Sequence, residues 1–135
     1  MACIFCDIAS GKLPASLVYD RDDFLAFLDK KPLFHGHVLL VPRVHVAAMT
    51  DLPGESAAKI FPVAQSIARA VETAMGAEGT FVAINNKVSQ SVPHLHMHIV
   101  PRKKGDGLKG FFWPRSKYAS DVEMDDVAAR IRERL

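Results

Sequence analysis

The stretch Gln90–Arg102, QSVPHLHMHIVPR, decides how this chain is read. At its centre, His94-Leu95-His96-Met97-His98 alternates imidazole with apolar side chains. Alternation is the period of a β-strand, whose successive side chains point to opposite faces. The pattern predicts a strand with Leu95, Met97 and Ile99 toward a core. His94, His96 and His98 then line one exposed or cleft-facing edge. Half of the chain's six histidines fall within this short stretch, a concentration that asks for a chemical role. One metal ion held by all three is awkward, because the outer Cα atoms of such a strand lie about 13–14 Å apart at roughly 3.4 Å per residue. Adjacent members could share an ion. Alternatively, a neutral imidazole attacks a phosphoryl group while neighbouring donors bind the charge that develops on its oxygens.

Outward from this strand, Thr80–Asn85 reads as a strand that leads into the loop Asn86–Pro93. Further upstream, PLFHGHVLLVPRVH (Pro32–His45) gives a loop over Pro32–Gly36 and a strand over His37–Val41, closed by Pro42. Leu17–Tyr19 and Phe24–Leu28 are strand-like, with Asp20-Arg21-Asp22-Asp23 as a polar hairpin turn. Cys3–Ser10, CIFCDIAS, predicts a short helical turn with Ile4, Phe5 and Ile8 as an apolar patch and Gly11 as its stop. Leu52–Met75 is the long helical segment. Ile60, Phe61, Ala64, Ile67, Ala68 and Val71 recur at helical spacing and Gly76 ends it, while Pro62 predicts a kink or the end of a first short helix. After Arg102, KKGDGLKGFFWPRSKYAS is loop-like, although Phe111, Phe112 and Trp113 are too apolar to dangle freely. Ser120-Asp121-Val122-Glu123 has the form of a capping box, and Val122, Val127, Ala128 and Ile131 mark a final amphipathic helix.

These elements make an α+β fold, an antiparallel sheet with one long helix packed on a face and a C-terminal helix. No internal repeat or linker breaks the sequence. It is expected to be a single domain over 1–135, with 103–135 as a C-terminal extension packed on it. A chain of 135 residues with 49% hydrophobic and 24% charged content can bury a real core. Its net charge of +2 does not suit a dedicated nucleic-acid binder. No apolar run approaches the roughly 20 residues of a membrane span. Two cysteines spaced C-x-x-C, without a secretory signal, point to a metal or redox pair in a reducing compartment, the simplest being the cytoplasm.

HLHMHIV, extended by Gln90-Ser91 and Pro101-Arg102, resembles the signature of the histidine triad superfamily of nucleotide hydrolases and transferases. PLFHGHVLLVPRVH resembles that family's other conserved block, and CIFCDI and AFLD carry the likeness over most of residues 3–102. The resemblance implies a five-stranded sheet and a homodimer in which two sheets join edge to edge. It implies a purine nucleotide substrate and His96 as a covalent nucleophile. His98, Ser91 and Gln90 are then donors to the phosphate, and His37 lies near the triad and helps orient it. Asp29 matches the position that binds ribose hydroxyls, Asn85 is a second polar anchor, and Phe5, Ile8 and Phe27 form an apolar slot for the base. NNKVSQ is shorter than the glycine-rich loop of most relatives, which leaves the register of Asn85 against Asn86 open.

Cys3, Cys6, His45 and His94 make a further constellation. Two thiolates and two imidazoles suit tetrahedral zinc. Some bacterial members of the family, and the related galactose-phosphate uridylyltransferases, bind zinc through matching positions, which implies a structural ion with His94 as ligand. The expected activity is cleavage at the α-phosphate of a dinucleoside polyphosphate or a nucleoside phosphoramidate through a nucleotidyl-His96, and the long C-terminal region, GLKGFFWPRSKYAS and its helix, tilts the expectation to the polyphosphate class. The rival readings are a nucleotide-binding sensor or scaffold of little turnover, and a small zinc protein whose triad is only a metal site.

Overall fold

A computed structural model describes residues 2–108 and 115–135. The expectation for Phe111, Phe112 and Trp113 lies outside the described residues. The chain divides into Met1–Lys104, which holds the sheet, and Gly105–Leu135.

In the first unit, α1 (Ile4–Ala9) is followed by β1 (Leu17–Arg21), β2 (Phe24–Leu28) and β3 (Val38–Pro42). A short 3-10 turn at Met49–Asp51 precedes α2 (Gly54–Met75), after which come β4 (Gly79–Ile84) and β5 (Met97–Arg102). The five strands form one sheet in the order β1-β2-β3-β5-β4, every neighbouring pair antiparallel.

Alternation along the central strands gives two apolar faces. Phe24 and Ala26 of β2, Val38 and Leu40 of β3, and Met97 and Ile99 of β5 pack with Ile60, Ala64, Ile67 and Val71 of α2. Burial of each larger aliphatic side chain there contributes about 1.5–3 kcal/mol relative to leaving it in water. On the other face Leu25, Phe27, Leu39 and Val41 meet Phe5 of α1. The register Leu39↔His98 sets His98 on this second face. His94 and His96 precede the paired part of β5, and both are buried. His98, within the strand, is half-buried.

Several boundaries differ from the sequence reading, each for a local reason. β1 runs to Arg21, because Arg21 pairs with Phe24 and only Asp22 and Asp23 make the turn. Asp22 adopts φ +51, a conformation that Asp tolerates better than most residues. Pro42 belongs to β3. It lies beyond Leu40↔Met97, the last pair with β5, so its missing N–H costs that ladder no bond.

α2 continues through Pro62 without ending. Pro62 and Ala58 are both exposed, so water can solvate the Ala58 carbonyl that loses its helical donor, while buried residues on either side hold the helix to the sheet. Phe61 is not part of the buried stripe. It is 65% exposed. α1 ends as expected, with Gly11 at φ +79 and its N–H bonded to the Ile8 carbonyl at 3.1 Å.

In the second unit, α3 (Asp121–Arg132) starts at Ser120, whose Oγ accepts from the Glu123 N–H at 3.2 Å, and the Glu123 side chain accepts from Ala119 N–H.

Candidate active site and metal cluster

The imidazoles divide into two functional groups by their hydrogen bonds. His96 donates Nδ1–H to the carbonyl of His94 at 2.7 Å. That bond fixes its tautomer and leaves a lone pair on Nε2. The ring is buried and held edge-on by Phe5, with centroids 5.1 Å apart and planes at 81°.

His37 and His98 form a relay. The backbone N–H of Leu33 donates to His37 Nδ1 at 3.1 Å, so the His37 proton resides on Nε2 and is given to His98 Nδ1 at 2.9 Å. His98 consequently keeps its own proton on Nε2, as a donor. Burial, then the neighbouring His96 and His37, lower the His98 pKa to about 4, against the opposing pull of Asp29. Burial likewise lowers His37 despite Asp29. Both rings are therefore neutral near pH 7 and act as oriented dipoles.

Asp29 Oδ2 lies 3.8 Å from His37 Nε2, beyond a hydrogen bond, and Oδ1 accepts from Lys31 N–H at 2.9 Å. Ligand atoms of Asp29, His37 and His98 fall within 4.8 Å of one another. The group does not suit a metal, because the Leu33 bond to Nδ1 leaves the His37 nitrogen facing the trio protonated, without a lone pair to give.

Gly36 brings His37 into place. At φ +95 it adopts a conformation open to glycine, and a Cβ there would sit 2.6 Å from Met75 Cγ.

A cavity of about 530 Å³ opens beside His96. Phe5, Ile8, Phe27, Asp29 and Ser91 line it with His96, six of the residues singled out in the sequence. The sequence reading missed Leu39, Val92 and the Leu13–Ser16 segment, which also line it. Those residues carry no periodic or chemical signal. Lys30 and Lys31 border the same cavity.

The loop anchors fall elsewhere. Gln90 ties its loop to the segment after β3, accepting from Lys87 N–H at 3.0 Å within the loop and donating to the Ala47 carbonyl at 2.6 Å. Asn85 is exposed just past the end of β4, and one step beyond the register Ile84↔Met97 brings it level with His96. Asn86 Oδ1 accepts from Met49 N–H at 2.8 Å.

The second group is Cys3, Cys6, His45 and His94, whose ligand atoms all lie within 4.8 Å of one another. Sγ of Cys3 is 3.4 Å and Sγ of Cys6 3.6 Å from His94 Nδ1, and Cys6 Sγ is 3.4 Å from His45 Nδ1. Tetrahedral bonds of zinc to sulfur and nitrogen would separate such donors by about 3.5 Å. His94 donates Nε2–H to the Pro42 carbonyl at 2.8 Å, which directs its Nδ1 lone pair at the two sulfurs. Burial, outweighing that bond, holds His94 below the usual histidine range and hence neutral. Burial, Cys3 and Asp7 push the Cys6 thiol up, an effect that a cation among the donors would reverse. The four residues fit a closed, structural zinc site. The Pro42 carbonyl that orients it has no sequence signature, since any residue supplies a carbonyl.

The model of the HIT domain matches residues 10–105. The chain belongs to the HIT family. It is 37% identical over 116 residues to the adenosine 5'-monophosphoramidase hnt1 of Schizosaccharomyces pombe, covering 84% of each chain. A crystal structure of a HIT family member from Bacillus subtilis superposes with a TM-score of 0.88 at 35% identity, covering 100% of this chain and 98% of that one. A zinc-bound histidine triad family protein from Mycobacterium smegmatis gives a TM-score of 0.76 at 35% identity, over 100% of this chain and 99% of that one. The α+β fold and five-stranded antiparallel sheet of this HIT chain match those neighbours.

Proposed function

We propose that this HIT protein is a nucleotide hydrolase or transferase that cleaves at the α-phosphate of a purine nucleotide derivative through a covalent nucleotidyl-His96. The observation that carries the reading is the tautomer of His96, with Nδ1–H on the His94 carbonyl and the Nε2 lone pair left for attack beside an apolar cavity. Phe5, Ile8 and Phe27 would hold the base, and Asp29 would accept from the ribose hydroxyls with the oxygen that does not cap the turn. Nε2 bonds to phosphorus as the leaving group departs. His98, donor on Nε2, and Ser91 stabilise the phosphoryl oxygens, and His37 keeps His98 in that tautomer as a positioning residue. Because Nδ1 retains its proton, the phosphorylated ring is a cation, and water or another acceptor displaces it readily.

The leaving group separates two subclasses, dinucleoside polyphosphates and nucleoside phosphoramidates. The likeness to the monophosphoramidase of S. pombe favours the second. A panel of both substrate types, quenched with acid-free denaturant and read by intact mass, tests the reading. A chain carrying one nucleoside monophosphate on His96 is expected. A turnover that never passes through such a species would overturn it.

Zinc at Cys3, Cys6, His45 and His94 would cross-link the fold, and with four protein ligands it leaves no position for substrate. Among the described residues no helix is long and apolar enough to cross a membrane. The cysteines are free thiols, which suits a reducing compartment such as the cytoplasm. Edge strand β4 carries no charged side chain and leaves Val82 47% exposed. An uncharged edge invites pairing, so we assign it to a homodimer in which two sheets join. Sedimentation of twice the chain mass is the expected result.

A further inference from the structure

Helix α1 joins two sites that are also linked through His94, which belongs to the metal cluster and whose carbonyl holds His96. Cys3 stands at its N-terminus and Cys6 one turn later, while Phe5 between them turns toward the nucleotide slot. The Phe5 ring packs edge-on against Phe27 at 5.4 Å, His94 at 5.8 Å and His96 at 5.1 Å. The two sulfurs lie within 4.8 Å of each other, half-buried rather than sealed, so a small oxidant can reach them.

We propose that Cys3 and Cys6 are a redox-active dithiol whose oxidation to an intramolecular disulfide withdraws both sulfurs from His94 and His45 and loosens the Phe5 wall of the slot. Residues three apart at a helix start are neighbours on one face, the arrangement in which a C-x-x-C pair closes most readily. With a peroxide as oxidant, one thiolate attacks oxygen, the O–O bond breaks, and a sulfenic acid forms. The second thiolate displaces hydroxide from that sulfur, and an S–S bond results. Two sulfurs are oxidised, one peroxide is reduced, and two waters leave. If zinc is bound, two protons come from solvent and the ion departs without changing its oxidation state.

A sulfur in a disulfide is a poor ligand and a poor hydrogen-bond partner. The contacts at 3.4 and 3.6 Å to His94 and His45 are then lost together. Closing an S–S bond of about 2.05 Å turns the two Sγ atoms toward each other, so the start of α1 is released from the two imidazoles that held it. Phe5 moves with it, and the wall against His96 opens.

The test uses the full chain without a tag, reduced, zinc-loaded and treated with one equivalent of hydrogen peroxide. Peptide mapping is expected to link Cys3 to Cys6, with zinc released to a chromogenic chelator and amide exchange in α1 accelerated. The AMP dissociation constant, which rests on the nucleotide reading, is expected to rise about fivefold or more. Thiol reductant and zinc should restore every value. The double variant Cys3→Ser/Cys6→Ser should not respond to peroxide, which separates the thiols from methionine oxidation. Oxidation without the Cys3–Cys6 link, or the link with unchanged α1 exchange, overturns the proposal. A chain that binds no AMP even when reduced defeats the nucleotide reading instead, and the exchange measurement still decides this one.

Discussion

Replacing His96 by alanine removes the one imidazole, among the described residues, that both lines the cavity and donates Nδ1–H to the His94 carbonyl. Loss of a covalent nucleophile should lower kcat/KM roughly ten-thousand-fold or more. The void left against Phe5 should cost about 1–3 kcal/mol of stability, so the variant is expected to fold. Steady-state kinetics and an unfolding curve check the two halves, and near-normal turnover would dispose of the nucleophile. A second prediction concerns pH. The His98 pKa is lowered to about 4 from an ordinary value of 6.5. Above the unfolded value both states are neutral and nothing is lost. Between about 6.5 and about 4 the unfolded chain takes up a proton that the folded chain refuses, so stability falls as pH drops. His37 and His94, also lowered, act in the same direction. The urea midpoint should therefore decline from pH 7 to 5, and less steeply in His98→Asn. Equal slopes in the two proteins would reject the depressed His98.

At the scale of elements, the sequence located the five strands and both α-helices of the sheet unit but not the 3-10 turn at Met49–Asp51, and it started the histidine strand at His94 where β5 begins at Met97. The tetrad Asp20–Asp23 looks like a four-residue turn, yet Arg21 is a good strand partner once Phe24 faces it. Pro62 reads as a breaker because a sequence does not reveal which side of a helix faces water. Its exposure explains its survival and gives a prediction. Proline in a helix interior costs about 3 kcal/mol, of which restriction of the unfolded chain returns about 0.4–1 kcal/mol and local relaxation a further part. Pro62→Ala restores the N–H for the Ala58 carbonyl and should stabilise α2 by about 1–2 kcal/mol. The denaturant midpoint measures it, and a decrease would mean that Pro62 serves packing near Tyr19 and Val63, with which it shares a shallow groove. Gln90 illustrates the opposite limit. Its identity was legible, but its commitment to Lys87 and Ala47 depends on a loop path that no residue pattern encodes.

Over the whole molecule, the metal cluster ties together segments that the chain keeps far apart, with Cys3 and Cys6 at the N-terminus, His45 after β3 and His94 before β5. The residue types were legible in the sequence, while the backbone partner that aims His94 was not. A ligand that binds only the folded state stabilises it by mass action, and free zinc at a hundred times its dissociation constant adds about 2.7 kcal/mol, roughly 8–10 °C in melting midpoint for a domain of this size. Each donor must be deprotonated, so occupancy should fall on acidification. Metal analysis of untagged protein is expected to find about one zinc per chain in the wild type and in His96→Ala, and little in Cys3→Ser or His94→Ala. Chelation should lower the melting midpoint of the first two by that amount and leave the last two unmoved. It should also weaken nucleotide binding, because Phe5 lies between the two cysteines and walls the slot beside His96. A wild type that is metal-free, folded and fully active would instead assign His94 to the hydrogen-bond network of the triad, where its carbonyl already holds His96.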